Sequence, residues 1–103
     1  MGRHVVILPG ALSDMDKAAE FYDDQEPGLG VVVYEFLKQK TFHLSAIAGL
    51  HPSHRGVNKW VVPGRFPYYL MYYRLEGEVV TLSAILDGRR NPDHNRRLLE
   101  ERL

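Results

Sequence analysis

The chain has 103 residues and a mass of 11.8 kDa, of which 45% are hydrophobic, with 13 Lys+Arg balanced by 13 Asp+Glu and no cysteine. At this length roughly two-thirds of the unfolded surface is buried on folding, which supports one thin core and reads as a single domain over residues 1–103. The missing thiols exclude a disulfide framework, a thiolate metal site and a catalytic cysteine, and they fit a reducing cytoplasm. Apolar runs of five to eight residues fall far short of the roughly 20 needed to cross a bilayer. The start, Met1-Gly2-Arg3-His4-Val5, has no apolar core or small-residue cleavage site of an export signal.

The neutral total hides a polarised layout. Residues 1–30 hold six acids and two bases, 31–60 one acid and four bases, and 61–103 six acids and seven bases. A generic nucleic-acid binder would carry an excess of cations; here only a local basic patch is open to that role.

In chain order, residues 4–8 form a β-branched run stopped by Pro9-Gly10, which predicts a buried strand. Leu12, Met15, Ala18, Ala19 and Tyr22 then recur at three and four residues, predicting an amphipathic helix that ends near Pro27-Gly28. A second helix carries Leu29, Val33, Phe36, Leu37, Leu44, Ile47 and Ala48 on one face and stops at Gly49 and Pro52. The poor helix formers Val31 to Val33 leave a frayed start or a competing strand open there. The short joint between the two helices predicts an antiparallel hairpin.

Three strands follow, at 57–62, 66–75 and 78–87, joined by Pro63-Gly64 and Glu76-Gly77 as an antiparallel meander. Asn91 as N-cap and Pro92 as first helical residue predict a short closing helix over about 91–102. The order β-α-α-β-β-β(-α) is an α+β arrangement with helices on one face of the sheet.

Candidate chemistry concentrates on the 66–75 strand. Period two puts Phe66, Tyr68, Leu70, Tyr72 and Arg74 on one face and Tyr69, Met71 and Tyr73 on the other, one of which must pack against the helices. If Lys59, Arg65 and Arg89 or Arg90 face the same side as the tyrosines, they form a small site for a phosphate or for carboxylates of a partner. Scattered surface arginines are the plain alternative. His51 and His54 read as loop decoration and His43 as a partly buried packing residue. The aspartates Asp14, Asp16, Asp23 and Asp24 read as the solvated side of the first helix, and His94 as a weak base candidate at a helix start. No metal site and no cofactor is called for.

Four pieces in sequence give the chain a resemblance: residues 18–22 on helix one, the joint Pro27-Gly28-Leu29-Gly30, the stretch from Arg65-Phe66-Pro67-Tyr68 to Tyr72-Tyr73-Arg74, and Gly88-Arg89-Arg90-Asn91-Pro92. From about His4 to Pro92 it resembles the RelE/ParE superfamily of bacterial type II toxin–antitoxin toxins, which includes plasmid stabilisation proteins. That resemblance implies a helical hairpin packed on a twisted four-stranded sheet, and a toxin neutralised in a hetero-oligomer with a cognate antitoxin. RelE-like members cleave mRNA on the ribosome without a metal, which would make Lys59, Arg65 and Arg90 catalytic. ParE-like members inhibit DNA gyrase, which would make Lys59, Arg65, Tyr68, Tyr72, Arg89 and Arg90 target or anion contacts. Asp87 stands where the family often has His, and with the neutral charge it favours the ParE-like reading. An mRNA endonuclease and an inactive family member are the alternatives.

Overall fold

A computed structural model describes residues 3–103. Met1 and Gly2, the first two positions of the segment read above for an export signal, lie outside the described residues. The elements are β1 (His4–Ile7), α1 (Pro9–Gln25), α2 (Leu29–Ile47), β2 (Ser53–His54), β3 (Val57–Val61), β4 (Tyr69–Glu76), β5 (Val79–Asp87) and α3 (Pro92–Arg102). The strands lie in the order β1-β5-β4-β3-β2, with β1 parallel to β5 and every other neighbour antiparallel.

The class is the expected α+β one, but the sheet has five strands, not four. The extra strand β2 is two residues long and turns into β3 through Arg55 and Gly56, whose φ angles of 53° and 80° are both positive, as a tight type I′ hairpin turn requires. So short a polar strand has no alternation to detect.

Pro9 sits at the first turn of α1, where its missing N–H costs nothing. Val31 to Val33 stay helical because Val33 is buried on the same stripe as Leu37 and Leu44. Asp23 ties the hairpin together, its Oδ1 accepting the backbone N–H groups of Gly28 at 2.9 Å and Gly30 at 3.2 Å. These are unpaired donors at the start of α2. The helices approach so closely there that a Cβ on Gly30 would lie 2.5 Å from the Ala19 carbonyl oxygen, which requires glycine. Met15, Val33, Leu37 and Leu44 then close over Trp60, Met71, Tyr73 and Leu82 of the sheet.

β1 covers only Val79 to Leu82 of β5, so the edge from Ser83 to Asp87 has no strand beside it. Three side chains occupy that edge. Asp14 Oδ2 accepts the Ile85 N–H at 2.9 Å, Arg102 Nη1 donates to the Ser83 carbonyl at 3.4 Å, and Asn95 Nδ2 donates to the Asp87 carbonyl at 3.0 Å. Helix α3 therefore lies along the free edge, antiparallel to β5, in the place a further strand would take. The spacing suits it: seven helical residues rise about 10 Å and four strand residues about 13 Å. Arg102 also grips Asp14 with both terminal nitrogens, at 2.6 and 2.9 Å. Asp14 is thus 7% exposed and structural, not part of a solvated face, whereas Asp23 is exposed as expected while its carboxylate also ties the hairpin.

Removing the Asp14 carboxylate strands the Arg102 cation and the Ile85 N–H together. Asp14→Ala is expected to lower unfolding free energy in urea by about 3–5 kcal/mol, while Asp16→Ala on the exposed side changes it by less than about 0.5 kcal/mol.

Candidate functional site

β4 splits the tyrosines. Tyr69, Met71 and Tyr73 are buried toward the helices, while Leu70, Tyr72 and Arg74 are half-buried on the opposite face. Lys59 pairs with Tyr72 across β3 and β4, and since Trp60 next to it is buried, Lys59 stands exposed on that open face with Tyr72. Phe66 departs from the expected alternation. The strand starts only at Tyr69, and Phe66 folds back onto the helical side, where its ring lies 5.2 Å from Tyr22 and 5.2 Å from Phe36.

Arg65 is exposed in the β3–β4 loop, its guanidinium 5.4 Å from the Phe66 ring. Arg89 lies 4.0 Å over the Tyr68 ring and donates to Asp87 through Nε at 3.1 Å and Nη2 at 2.9 Å, and to Tyr22 Oη at 3.2 Å. Its backbone N–H also reaches Asp87 Oδ1. Three of its five donors are thus occupied. The Asp87 bond raises the Arg89 pKa further. Burial alone would raise the Asp87 carboxyl, but the Arg89 side-chain and backbone hydrogen bonds, with the Arg89 and Arg90 charges, hold it below its ordinary value. The acid at position 87 therefore spends its charge on Arg89. Burial is also the main reason the Tyr69 hydroxyl is pushed up, with Tyr22 and Asp87 beside it, so it stays protonated.

Arg90 has a different setting. It lines a groove of about 780 Å³ between α1 and α3, together with Lys17, Phe21, His94 and Leu98, over the β5 residues Ile85 to Asp87. Among the described residues neither Arg90 nor Lys17 makes an ion pair. The predicted cations fall into two groups. Arg65, Tyr68 and Arg89 are linked through the Tyr22–Phe66 ring contact, Arg89 and Arg90 both line the groove with Tyr22, and Lys59 with Tyr72 occupies the other face of the sheet. β3 and β5 are two strand spacings apart, about 10 Å. The groove was not legible in the sequence. Only the place of Asp14 on the Ala11-Met15-Ala18 stripe pointed toward it.

The histidines also separate. His43 is exposed, not partly buried, and stacks on Trp60 at 6.2 Å; His51 stacks on the same ring at 5.4 Å; His54 lies on β2, and His94 lines the groove. Among the described residues no three His, Cys, Asp or Glu side chains are grouped to hold a metal ion.

No family model and no curated protein sequence matches the chain. Among solved structures, a chain of the "Chromosomal ParDE TA system from P. aeruginosa" superposes with a TM-score of 0.72 at 16% identity, covering 82% of this chain and 95% of that one. The chain therefore shares the fold of that ParDE-system chain. No described helix is long and apolar enough to cross a membrane.

Tyr73 Oη accepts the Gly49 N–H at 2.8 Å, and its own proton goes to His51 Nδ1 at 2.6 Å, because a buried hydroxyl proton requires an acceptor. His51 Nδ1 must then be unprotonated. Burial likewise lowers its pKa below 6.5. The unfolded chain binds this proton more readily, so the stabilisation is complete above about pH 6.5 and is lost as pH falls through the folded-state value. Thermal unfolding measured against pH is expected to show that loss, with a shallower slope in His51→Gln.

Proposed function

We propose that this chain is the toxin of a toxin–antitoxin pair, arresting growth in the cytoplasm by binding a protein target and neutralised in a hetero-oligomer with a cognate antitoxin. The ParE/RelE-type fold supports the toxin reading. The placement of Lys59 on the opposite face of the sheet from Arg65 and Arg90 supports a protein target over RNA cleavage. Metal-free cleavage needs cations and a proton acceptor within hydrogen-bond reach of one phosphate and its 2′-hydroxyl. Here Lys59 is on the open face of the sheet and Arg90 is in the groove between the helices. Such a spread suits a broad protein contact, in which cations meet separate carboxylates.

On this reading Arg90, Arg65 and Tyr68 contact the target at the α1–α3 end, with Lys59 and Tyr72 as a second patch. Arg89 positions Tyr68 and is already neutralised by Asp87. DNA gyrase is the target proposed. Two assays test the reading: growth after induction with and without the adjacent open reading frame, and supercoiling by gyrase with the purified chain. Arrest relieved by the neighbouring product, with supercoiling inhibited, is the expected result. Arg90→Ala is expected to raise the half-inhibitory concentration about tenfold. Translation-dependent mRNA cleavage with intact supercoiling would overturn the protein-target reading, and no arrest at all would overturn the toxin reading.

A further inference from the structure

The outward face of α2 carries a pattern that the core does not use. Val31 and Phe42, each 69% exposed, are among the most exposed large apolar side chains of the protein. Between them on the same face stand Glu35 and Lys38, both exposed. Neither forms an ion pair among the described residues, although a Glu–Lys pair three apart on one helix is within reach. The spacing 31, 35, 38, 42 is four, three, four, the repeat of a helix–helix seam.

The pattern complements itself in reverse. When a second α2 is laid antiparallel about the point midway between residues 36 and 37, Val31 meets Phe42 of the second copy and Glu35 meets Lys38, and a two-fold axis repeats both contacts. A receptacle is present as well. A shallow groove of about 380 Å³ lies beside Val31, lined by Ala19, Glu20, Gly30, Tyr34 and Glu35. It is walled by the close α1–α2 approach at Gly30. The groove rim is acidic through Glu20, Asp23 and Glu35, whereas Phe42 has the cation Lys38 one turn before it on the same face of its helix. An aromatic knob with a basic surround therefore faces an apolar hole with an acidic surround, twice.

We propose that the chain forms a two-fold dimer through antiparallel α2 helices, with Phe42 of each copy seated beside Val31 of the other and Glu35 paired to Lys38 across the axis. The occupant is a second copy because every layer of the seam finds its complement in the same sequence read backwards. This surface is separate from the open sheet face and from the α1–α3 groove, so the proposal stands apart from the proposed function.

Analytical ultracentrifugation of the purified full chain over a concentration series tests it. The wild type is expected to show a reversible monomer–dimer equilibrium. Phe42→Asp, at an exposed position, is expected to leave a monomer with unchanged circular dichroism. Glu35→Lys sets like charges against each other in both central layers and is expected to weaken the dimer about tenfold or more. Glu35→Lys combined with Lys38→Glu restores it. A wild type that is monomeric throughout, a dimer that survives Phe42→Asp, or a charge exchange that fails to restore association would each overturn the proposal. So would a monomer in which Phe42→Asp abolishes capture of the antitoxin, since the face then belongs to that partner.

Discussion

β5 is longer than the strand beside it, and most of what is unusual in the fold follows from that mismatch. Its upper half would present unpaired N–H and C=O groups at an edge, where such groups either recruit another chain or must be satisfied locally. The protein satisfies them with side chains from both ends of the sequence: Asp14 from α1, and Asn95 and Arg102 from α3. Asp14 is the hinge of the arrangement because its two oxygens serve the strand and the α3 arginine together. Burying a carboxylate is costly unless it is paired and hydrogen-bonded, and here both conditions are met at one residue. The consequence for function is geometric. Once α3 is anchored along β5, a groove opens between it and α1, and Arg90 is carried to its rim.

Charge pairing then decides which arginines are free to act. Arg89 and Arg90 are adjacent in sequence and chemically equivalent, yet the fold uses them in opposite ways. Arg89 is stacked on Tyr68 and held by Asp87 and Tyr22; Arg90 has no such acceptor among the described residues. A cation held by a carboxylate offers little to a second anion, whereas its planar side chain can still fix an aromatic ring in place. Asp87 therefore pairs with one surface cation and holds it over Tyr68. The zero net charge of the chain is partly made of such internal neutralisation, as at Asp87–Arg89 and Asp14–Arg102.

Sequence periodicity captured the elements whose side chains report on burial. The three-four spacing of Met15 and Ala18 and the stripe of Val33, Leu37 and Leu44 correspond to observed structure, and the β4–β5 hairpin forms with its turn one residue later than expected, at Gly77-Glu78. It failed where polar residues are buried for their hydrogen bonds. Asp14 lies on the apolar stripe of α1 by spacing, but an aspartate there looks like surface until the unpaired Ile85 N–H is known. That donor is created by strand register, a long-range property absent from local pattern. Phe66 failed for a related reason: alternation predicts a face only inside a strand, and β4 begins three residues later. The candidate site was legible as residue types, not as an arrangement. Lys59 beside Tyr72 was one branch of an open reading until the β3–β4 register settled it, while the position of Arg90 depends on α3, whose anchoring requires Asp14, Asn95 and Arg102 at once.

The α2 helix carries the complementary lesson. Its inward stripe is specified by Val33, Leu37 and Leu44 with Thr41 as the one buried polar member, its hydroxyl bonded to the Lys38 carbonyl, and its outward face has an apolar-charged-charged-apolar order that the chain leaves unpaired. Core burial does not explain Phe42, and solubility does not favour it, since an exposed phenyl ring costs solvation without stabilising its own helix. Glu35 and Lys38 are positioned to neutralise each other within one helix yet remain apart, which keeps both available to a surface of opposite order. The seam in α2 and the groove beside α3 lie on different helices, so occupancy of one face leaves the other open. A small chain with a thin core can in this way leave two surfaces open, because the α1–α2 hairpin closes the core from one side only and α3 completes the sheet edge from another.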